Sequence, residues 1–217
     1  KTTEFDTVQF TPVKGDAVPK TGIINIDGVL ETAWNAATTH QILNTVVGSP
    51  VPASDLSADW RAMWNDDYLY IAIDVIDEQL VNNTEAGWSD DVVEIHIDGD
   101  NSKYSSYDDV NDVHILMQWN DDTVYANLDR NPDNIDYTQI KFATVDTPDG
   151  YRMECAIPWS EIGVSVAENS YIGFDVHVGD DDGSERETKI SWYSPNDDSY
   201  YDPTTFGTIQ LGSRATV

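Results

Sequence analysis

Strict alternation of apolar and polar side chains over residues 92–98 is the feature that most constrains the fold of this chain. The two sets take every second position, Val93, Ile95 and Ile97 against Glu94, His96 and Asp98. A period of two is typical of a β-strand with one face in a core and the other toward water. We therefore predict a strand here whose polar face is solvated.

The rest of the chain repeats this type of segment. About ten short strand-type runs are separated by turn residues, and helix-period segments are almost absent. Polar turns at 65–67 and 120–122 each predict a hairpin, whereas 30–37 and 158–163 predict single helical turns. The sequence therefore predicts an all-β fold, an antiparallel β-sandwich of two packed sheets with a jelly-roll or immunoglobulin-like arrangement and very little helix.

Length and composition indicate one domain. The 217 residues, 40% of them hydrophobic, suffice for one sizeable core. Residues 1–20 have no sustained periodicity and are expected to be a linker or edge segment, followed by a single β-sandwich domain over 21–217, expected to be monomeric. No apolar run approaches the ~20 residues that span a bilayer, and the first residues lack the apolar core of a signal peptide.

Charge restricts the partners. With 40 acidic against 11 basic residues, the formal net charge is −29, which argues against nucleic acid and anionic membrane surfaces. Acidic turns such as 180–183 are expected to be solvated loops. The single cysteine, Cys155, cannot form an intramolecular disulfide, and its position among alternating apolar residues predicts a buried, inert thiol.

The three strand histidines share a pattern. His96, His114 and His177 each alternate with apolar residues, so each should point away from the core. If their strands are neighbours, they form one polar surface with Glu94, with Trp88 at its rim. A second aromatic group follows near the C-terminus, at 192–193 and 200–201. Aromatic rings stack on the apolar face of a sugar while polar groups bind its hydroxyls, so the sequence indicates carbohydrate binding.

Two acidic clusters are candidate calcium sites. Asp77 ends one strand and Asp91 precedes the next, so antiparallel pairing would bring both carboxylates to one end of the sheet. Asp98 and Asp100, in an acidic loop after the same strand, form the second candidate. Ca²⁺ takes six to eight oxygen ligands, which carboxylates and loop carbonyls supply. For each cluster the alternative is a solvated acidic loop without an ion.

Other functions have less support from the residues. No carboxylate pair is singled out for glycoside hydrolysis, and no phosphate-binding loop, nucleophile elbow or short-spaced zinc motif is present. An enzyme is therefore not expected. Three histidines with Glu94 could instead hold zinc or copper if their strands converge.

Several motifs carry a family resemblance across residues 23–211. The chain resembles family 9 carbohydrate-binding modules through Ile26-Asp27-Gly28, Trp34, residues 64–70, Trp88, residues 91–98, residues 154–159, Ile172-Gly173-Phe174, Ser191-Trp192, Asp202-Pro203 and Phe206-Gly207. The resemblance implies an antiparallel β-sandwich with structural calcium and no catalysis, an accessory module of secreted bacterial enzymes such as xylanases. Its ligand would be a plant or algal polysaccharide of the xylan or glucan type, at chain ends or internal units.

The resemblance also implies site residues. Two aromatic residues sandwich the sugar in this family, and they correspond to Trp88 and Tyr200, the latter in place of a tryptophan. The polar ligands correspond to Glu94, His114, His177 and Asp197. An arginine that contacts sugar in some members corresponds to Leu116. Related sandwiches that hold haem b between methionine and histidine suggest the alternative, an electron-transfer module using Met63, Met117 or Met153.

Overall fold

The computed structural model describes residues 16–84, 87–126, 130–133, 135–183 and 185–214. Within them the strands are β1 (Asp16–Lys20), β2 (His40–Ile42), β3 (Asn44–Val47), β4 (Leu56–Trp64), β5 (Tyr68–Asp77), β6 (Val92–Asp98), β7 (Asp112–Gln118), β8 (Val124–Ala126), β9 (Lys141–Thr147), β10 (Gly150–Pro158), β11 (Tyr171–Asp180), β12 (Thr188–Ser191) and β13 (Gly207–Arg214). The described helical segments are α1 (Trp159–Ile162) and 3-10 turns at Thr32–Ala36, Tyr137–Gln139, Asp197–Tyr200 and Pro203–Thr205. The predicted all-β fold with very little helix is confirmed.

The strands form one continuous sheet that curls into two facing halves. The order is β8-β7-β6-β11-β13-β1-β4-β5-β10-β9, with β12 joining β11 to β3 and β2 pairing with β4. Pairing is antiparallel except at β1, which runs parallel to β13 and to β4. The rings of Phe174 on β11 and Trp60 on β4 lie 4.9 Å apart across the core. The two halves therefore pack face to face as a β-sandwich.

The N-terminal segment contributes to this closure. Residues 16–20, within the region predicted to be a linker or edge segment, form β1 and lie between β13 and β4. Residues 1–15 lie outside the described part of the chain.

Local sequence signals account for the connections. Both predicted hairpins form, β4–β5 and β7–β8, and the Asn65 side chain fixes the first turn by accepting hydrogen bonds from the backbone N–H groups of Asp67 and Tyr68 at 2.9 and 2.8 Å. The predicted helical turn becomes α1, which ends at Gly163 with φ of 74°, a conformation that glycine adopts without steric cost.

The core contains the apolar sets that the alternation predicts. Val93, Ile95 and Ile97 are fully buried in it. Cys155 is also buried, and burial raises the pKa of its thiol to about 12, in agreement with the predicted inert thiol. No helix in the described ranges is long and apolar enough to cross a membrane.

Candidate functional site

The three histidine-bearing strands are direct neighbours, in the order β7-β6-β11. His96 pairs across the strands with His114 on one side and Asp175 on the other, and Glu94 pairs with His177. The ring centroids of His96 and His114 lie 4.2 Å apart, and those of His96 and His177 lie 4.6 Å apart. The predicted convergence of the histidines on one sheet face is therefore confirmed.

The prediction that this face is solvated was wrong. Glu94, His96, His114 and His177 are all buried, because the loop at 99–111 and the segment at 193–206 fold over them. The Tyr107 hydroxyl donates to the Ser199 carbonyl at 2.9 Å and lies 3.2 Å from His96 Nδ1. Alternation identifies the face but carries no information about loops that cover it.

Glu94 is the centre of a buried ionic network. Its Oε1 accepts hydrogen bonds from Lys189 Nζ at 3.1 Å and Arg186 Nη1 at 3.0 Å, and its Oε2 lies 3.0 Å from His114 Nε2. Burial alone would raise the pKa of this carboxyl, but the charge of Lys189 and the contact with His114 outweigh burial and hold the pKa well below its usual value. Glu94 is therefore charged, although only 1% of its surface is exposed.

This network extends to the surface through Asp197. Lys189 Nζ forms an ion pair with Asp197 Oδ1, and Arg186 Nη2 lies 3.8 Å from Asp197 Oδ2. Asp197 begins the 3-10 turn that ends at Tyr200. On the other side, Arg186 Nη1 donates to the Trp88 carbonyl at 3.2 Å, and its guanidinium carbon lies 5.5 Å from the centroid of the Trp88 ring. Arg186 thus contacts both the Trp88 loop and the segment that carries Tyr200.

The segment after β12 is held in place by Asp175. The two carboxylate oxygens of Asp175 accept from the backbone N–H groups of Tyr193 at 3.0 Å and Ser194 at 2.8 Å, and Oδ2 lies 3.2 Å from His177 Nε2. Charge-assisted bonds to backbone N–H groups are strong and directional. His177 therefore supports the segment indirectly, through its contact with the Asp175 carboxylate.

Only part of the predicted sugar site is accessible. Trp88 and Tyr200 expose 56% and 45% of their surfaces, and the Asp197 side chain is partly exposed. Glu94, His114 and His177 lie beneath them. The sequence-based prediction missed Arg186 and Lys189. Lys189 could have been found from the alternation in β12, where it faces away from the buried Ile190.

Three aspartates converge at one end of the sheet. Oxygens of Asp77, Asp91 and Asp180 all lie within 4.8 Å of one another, and all three residues are buried. Burial raises the pKa of Asp77 to about 6 and the pKa values of Asp91 and Asp180 to about 8. Backbone hydrogen bonds to Asp77 and Asp91 oppose this increase. The predicted meeting of Asp77 and Asp91 thus occurs. Asp180 joins them from the end of β11. We expected residues 180–183 to be a solvated turn, and this expectation was wrong for Asp180 and Asp181, which are buried.

The donor set fits a hard cation. Asp91 Oδ1 accepts from the Asp181 backbone N–H at 3.0 Å and Asp77 Oδ1 from the Gln79 N–H at 2.8 Å, whereas Asp180 Oδ1 is buried without a hydrogen-bond partner among the described residues. A buried unpaired carboxylate oxygen is costly. Oxygen ligands of this type are those that Ca²⁺ prefers.

Asp98 and Asp100 have different surroundings. Asp98 accepts hydrogen bonds from the backbone N–H groups of Ser102 at 3.0 Å and Lys103 at 2.8 Å, and Asp100 accepts from Ser102 at 3.0 Å. Neither belongs to a group of three convergent ligands within the described ranges. Their contacts stabilise the turn at 98–103.

The alternative metal and haem sites are not favoured by these contacts. Ligand atoms of Glu94, His96 and His114 do converge within 4.8 Å. However, Lys189 and Arg186 already form ion pairs with the Glu94 carboxylate, and their positive charges would repel a metal ion. Met117 and Met153 lie in the main core and Met63 in a smaller apolar cluster. None of them shares the sheet face that carries the three buried histidines.

The buried histidines predict lower stability in mild acid. Burial lowers the pKa of His96 and of His114 below the usual 6.5. The unfolded chain then binds protons that the folded chain does not, so stability falls as the pH drops below about 6.5, by up to about 1.4 kcal/mol per pH unit for each histidine. We expect the stability advantage of wild type over His96→Gln in urea unfolding to shrink from about pH 7 to about pH 5. A constant difference would contradict a neutral, buried His96.

Comparison with known proteins gives a consistent result. The family model described as "Carbohydrate family 9 binding domain-like" matches residues 26–214. Exoglucanase XynX of Acetivibrio thermocellus is 30% identical over 187 residues, which are 86% of this chain and 16% of that protein. Endo-1,4-beta-xylanase A of Thermotoga maritima is 31% identical over 196 residues, 90% of this chain and 18% of that protein. The chain therefore spans about a sixth of the length of these relatives.

A solved structure has the same architecture. A carbohydrate binding module of family 9 from Caldicellulosiruptor kristjanssonii, in complex with cellotriose, superimposes with a TM-score of 0.80 at 25% identity. The superposition covers 93% of this chain and 95% of that one.

Proposed function

Since the chain belongs to the carbohydrate family 9 binding domain-like family and is a non-catalytic binding module, we propose that it binds xylan- or glucan-type polysaccharide between Trp88 and Tyr200. The ligand is a neutral plant or algal chain, held by aromatic stacking and polar contacts. The relatives are a bacterial exoglucanase and a bacterial xylanase, and the family 9 structure contains cellotriose.

One observation carries this proposal. Two exposed aromatic residues, Trp88 and Tyr200, flank a charged network instead of packing against each other or into the core. A sugar ring offers an apolar C–H face on which each of these exposed rings can stack. Tyr200 provides a smaller stacking area than tryptophan, so one side of the sandwich is weaker.

Differences in burial support a division of roles among the polar residues of the proposed site. Arg186 and Asp197 are the partly exposed members of the network, so their guanidinium and carboxylate groups contact the sugar hydroxyls. Glu94, His114 and His177 are buried. Glu94 holds Arg186 directly and is itself contacted by His114. Some family members use an arginine at the position of Leu116, which cannot form a hydrogen bond. Arg186 supplies a guanidinium group to the proposed site from another position.

A titration tests the proposal. Cellobiose and xylobiose are added separately to the protein while tryptophan fluorescence is followed, with sucrose as a sugar of different linkage. We expect saturable quenching by at least one of the two β-linked disaccharides. The absence of a response to both, and to their longer oligosaccharides, would overturn the proposed ligand class.

The same relatives support a proposal for the parent protein and its location. Both are much longer than this chain, which corresponds to a small part of each. We propose that the module is attached to a glycoside hydrolase and acts outside a bacterial cell, where polymeric xylan and glucan are accessible.

We also propose a structural calcium ion at Asp77, Asp91 and Asp180. The support is the convergence of their oxygens and the unpaired buried Oδ1 of Asp180. These residues lie at the ends of β5 and β11 and directly before β6. An ion at this position would stabilise both halves of the sandwich, since β5 belongs to one half and β6 and β11 to the other.

Calcium removal should therefore lower stability. We expect the melting temperature to fall when EDTA removes the ion and to rise again with excess CaCl₂, because a ligand that binds only the folded state stabilises it by RT ln(1 + [L]/Kd). Asp91→Asn should abolish the calcium-dependent shift, and Asp98→Asn should retain it. The reverse pattern would assign the ion to the Asp98 loop instead, and a melting temperature insensitive to calcium would contradict a structural ion.

A further inference from the structure

An apolar pocket of about 330 Å³ opens directly beside Trp88. Its lining comes from the Trp88 loop, strands β7 and β8, and the 3-10 turn at Tyr137–Gln139, with the residues Gly87, Trp88, Leu116, Val124, Tyr125, Ala126 and Tyr137. None of these side chains is charged. Trp88 thus belongs both to this pocket and to the stacking slot, the proposed sugar site between Trp88 and Tyr200. A sugar ring stacked on Trp88 can therefore place a substituent into the pocket.

The pocket walls are held in position. A Cβ atom at Gly87 would lie 2.5 Å from the Tyr125 ring, so the backbone of the Trp88 loop packs directly on that ring. The Tyr125 hydroxyl donates to Asp121 Oδ2 at 2.8 Å. Asn131 is fixed to β7 through the His114 backbone and donates to the Tyr137 hydroxyl oxygen at 3.0 Å. The pocket is therefore largely preformed.

Tyr137 supplies one polar function at the wall. Its hydroxyl oxygen accepts the hydrogen bond from Asn131, so its own proton remains to be donated. Among the described residues that proton has no acceptor. The pocket thus combines largely apolar walls with the Tyr137 hydroxyl as a hydrogen-bond donor.

This chemistry selects among sugar substituents. A hydroxyl group enclosed by apolar walls loses hydrogen bonds to water, and a carboxylate loses more. A uronate or sulfate would also be repelled by a chain of net charge −29. An acetyl ester is neutral, its methyl group suits the apolar walls, and its carbonyl oxygen accepts one hydrogen bond.

We propose that this pocket binds the O-acetyl group of a sugar held at Trp88, so that the module prefers acetylated neutral polysaccharide over the unsubstituted chain. The inference rests on the proposed function, because the acetyl group reaches the pocket only from a ring stacked on Trp88. Leu116 forms part of the apolar pocket wall. A charged residue at this position would prevent acetyl binding, whereas leucine favours it.

A matched pair of ligands tests the inference. O-acetylated xylo-oligosaccharides and the same preparation after mild alkaline deacetylation are titrated by calorimetry against the full chain. We expect about tenfold tighter binding of the acetylated form, as burial of a methyl group and one neutral hydrogen bond together imply. Ala126→Leu, which fills the pocket, should remove this preference and keep the affinity for the deacetylated form, and Tyr137→Phe should reduce the preference several-fold.

The outcomes separate the two proposals. Equal affinities for both forms, or a preference that survives in Ala126→Leu, would overturn the acetyl site and leave the proposed function intact. Binding of neither form would overturn the proposed function itself. Thermal melting of each variant identifies any loss of fold before the affinities are compared.

Discussion

Replacement of Trp88 by alanine is expected to weaken binding of β-linked oligosaccharide by about thirtyfold or more, which corresponds to about 2 kcal/mol for a buried aromatic hot spot. Trp88 exposes more than half of its surface in the free protein, and a stacked sugar would cover it. Calorimetric titration of wild type and Trp88→Ala with the same oligosaccharide measures the change. Because the side chain is largely exposed, its removal should alter stability little.

The control is an exposed aromatic at the other end of the sheet. Tyr171, at the start of β11, exposes 40% of its surface, and Tyr171→Ala should leave the affinity unchanged. The opposite change is available at Tyr200, where Tyr200→Trp should tighten binding by enlarging the stacking area. An unchanged affinity in Trp88→Ala, with or without these effects, would exclude the slot as the binding site.

Replacement of Lys189 by methionine is expected to destabilise the fold by about 3–5 kcal/mol, the usual effect of breaking a buried ion pair by removing one partner. Lys189 exposes only 2% of its surface and pairs with both Glu94 and Asp197. The substitution leaves Arg186 as the remaining cation on the buried Glu94 carboxylate. Urea unfolding at neutral pH with excess calcium measures the loss without a contribution from the acidic cluster.

The same substitution at a more exposed ion pair is the matched control. Lys20 pairs with Asp66, whose side chain is 77% exposed, and exposed pairs contribute about 0–1 kcal/mol. Lys20→Met should therefore have a small effect. Similar losses in the two variants would mean that the network around Glu94 contributes no more than a surface pair.

Alternation along single strands was sufficient to predict most of the fold. Val93, Ile95 and Ile97 lie in the core as predicted, and both polar turns close hairpins. A period of two determines which residues share a face, and this holds without knowledge of tertiary contacts. The sheet order that joins the three histidines does not follow from local pattern, because β6 and β11 are separated by more than seventy residues.

The site was harder to predict for a physical reason. Its floor is assembled from segments whose relation depends on tertiary folding. The burial of His96 under Tyr107 and of Glu94 under Arg186 therefore has no counterpart in the local pattern. Asp180 is a different case. Gly179 pairs with Val92, which places Asp180 beside Asp91, and a correct register for β6 and β11 would have been enough to find it.

A crystal structure of this protein with bound cellobiose or xylobiose would test the proposed binding site most directly. We expect a sugar ring stacked on Trp88, with Tyr200 on its other side and its hydroxyl groups within hydrogen-bond distance of Arg186 and Asp197. A ring bound elsewhere on the sandwich, with Trp88 and Tyr200 still exposed to solvent, would contradict the proposed binding site.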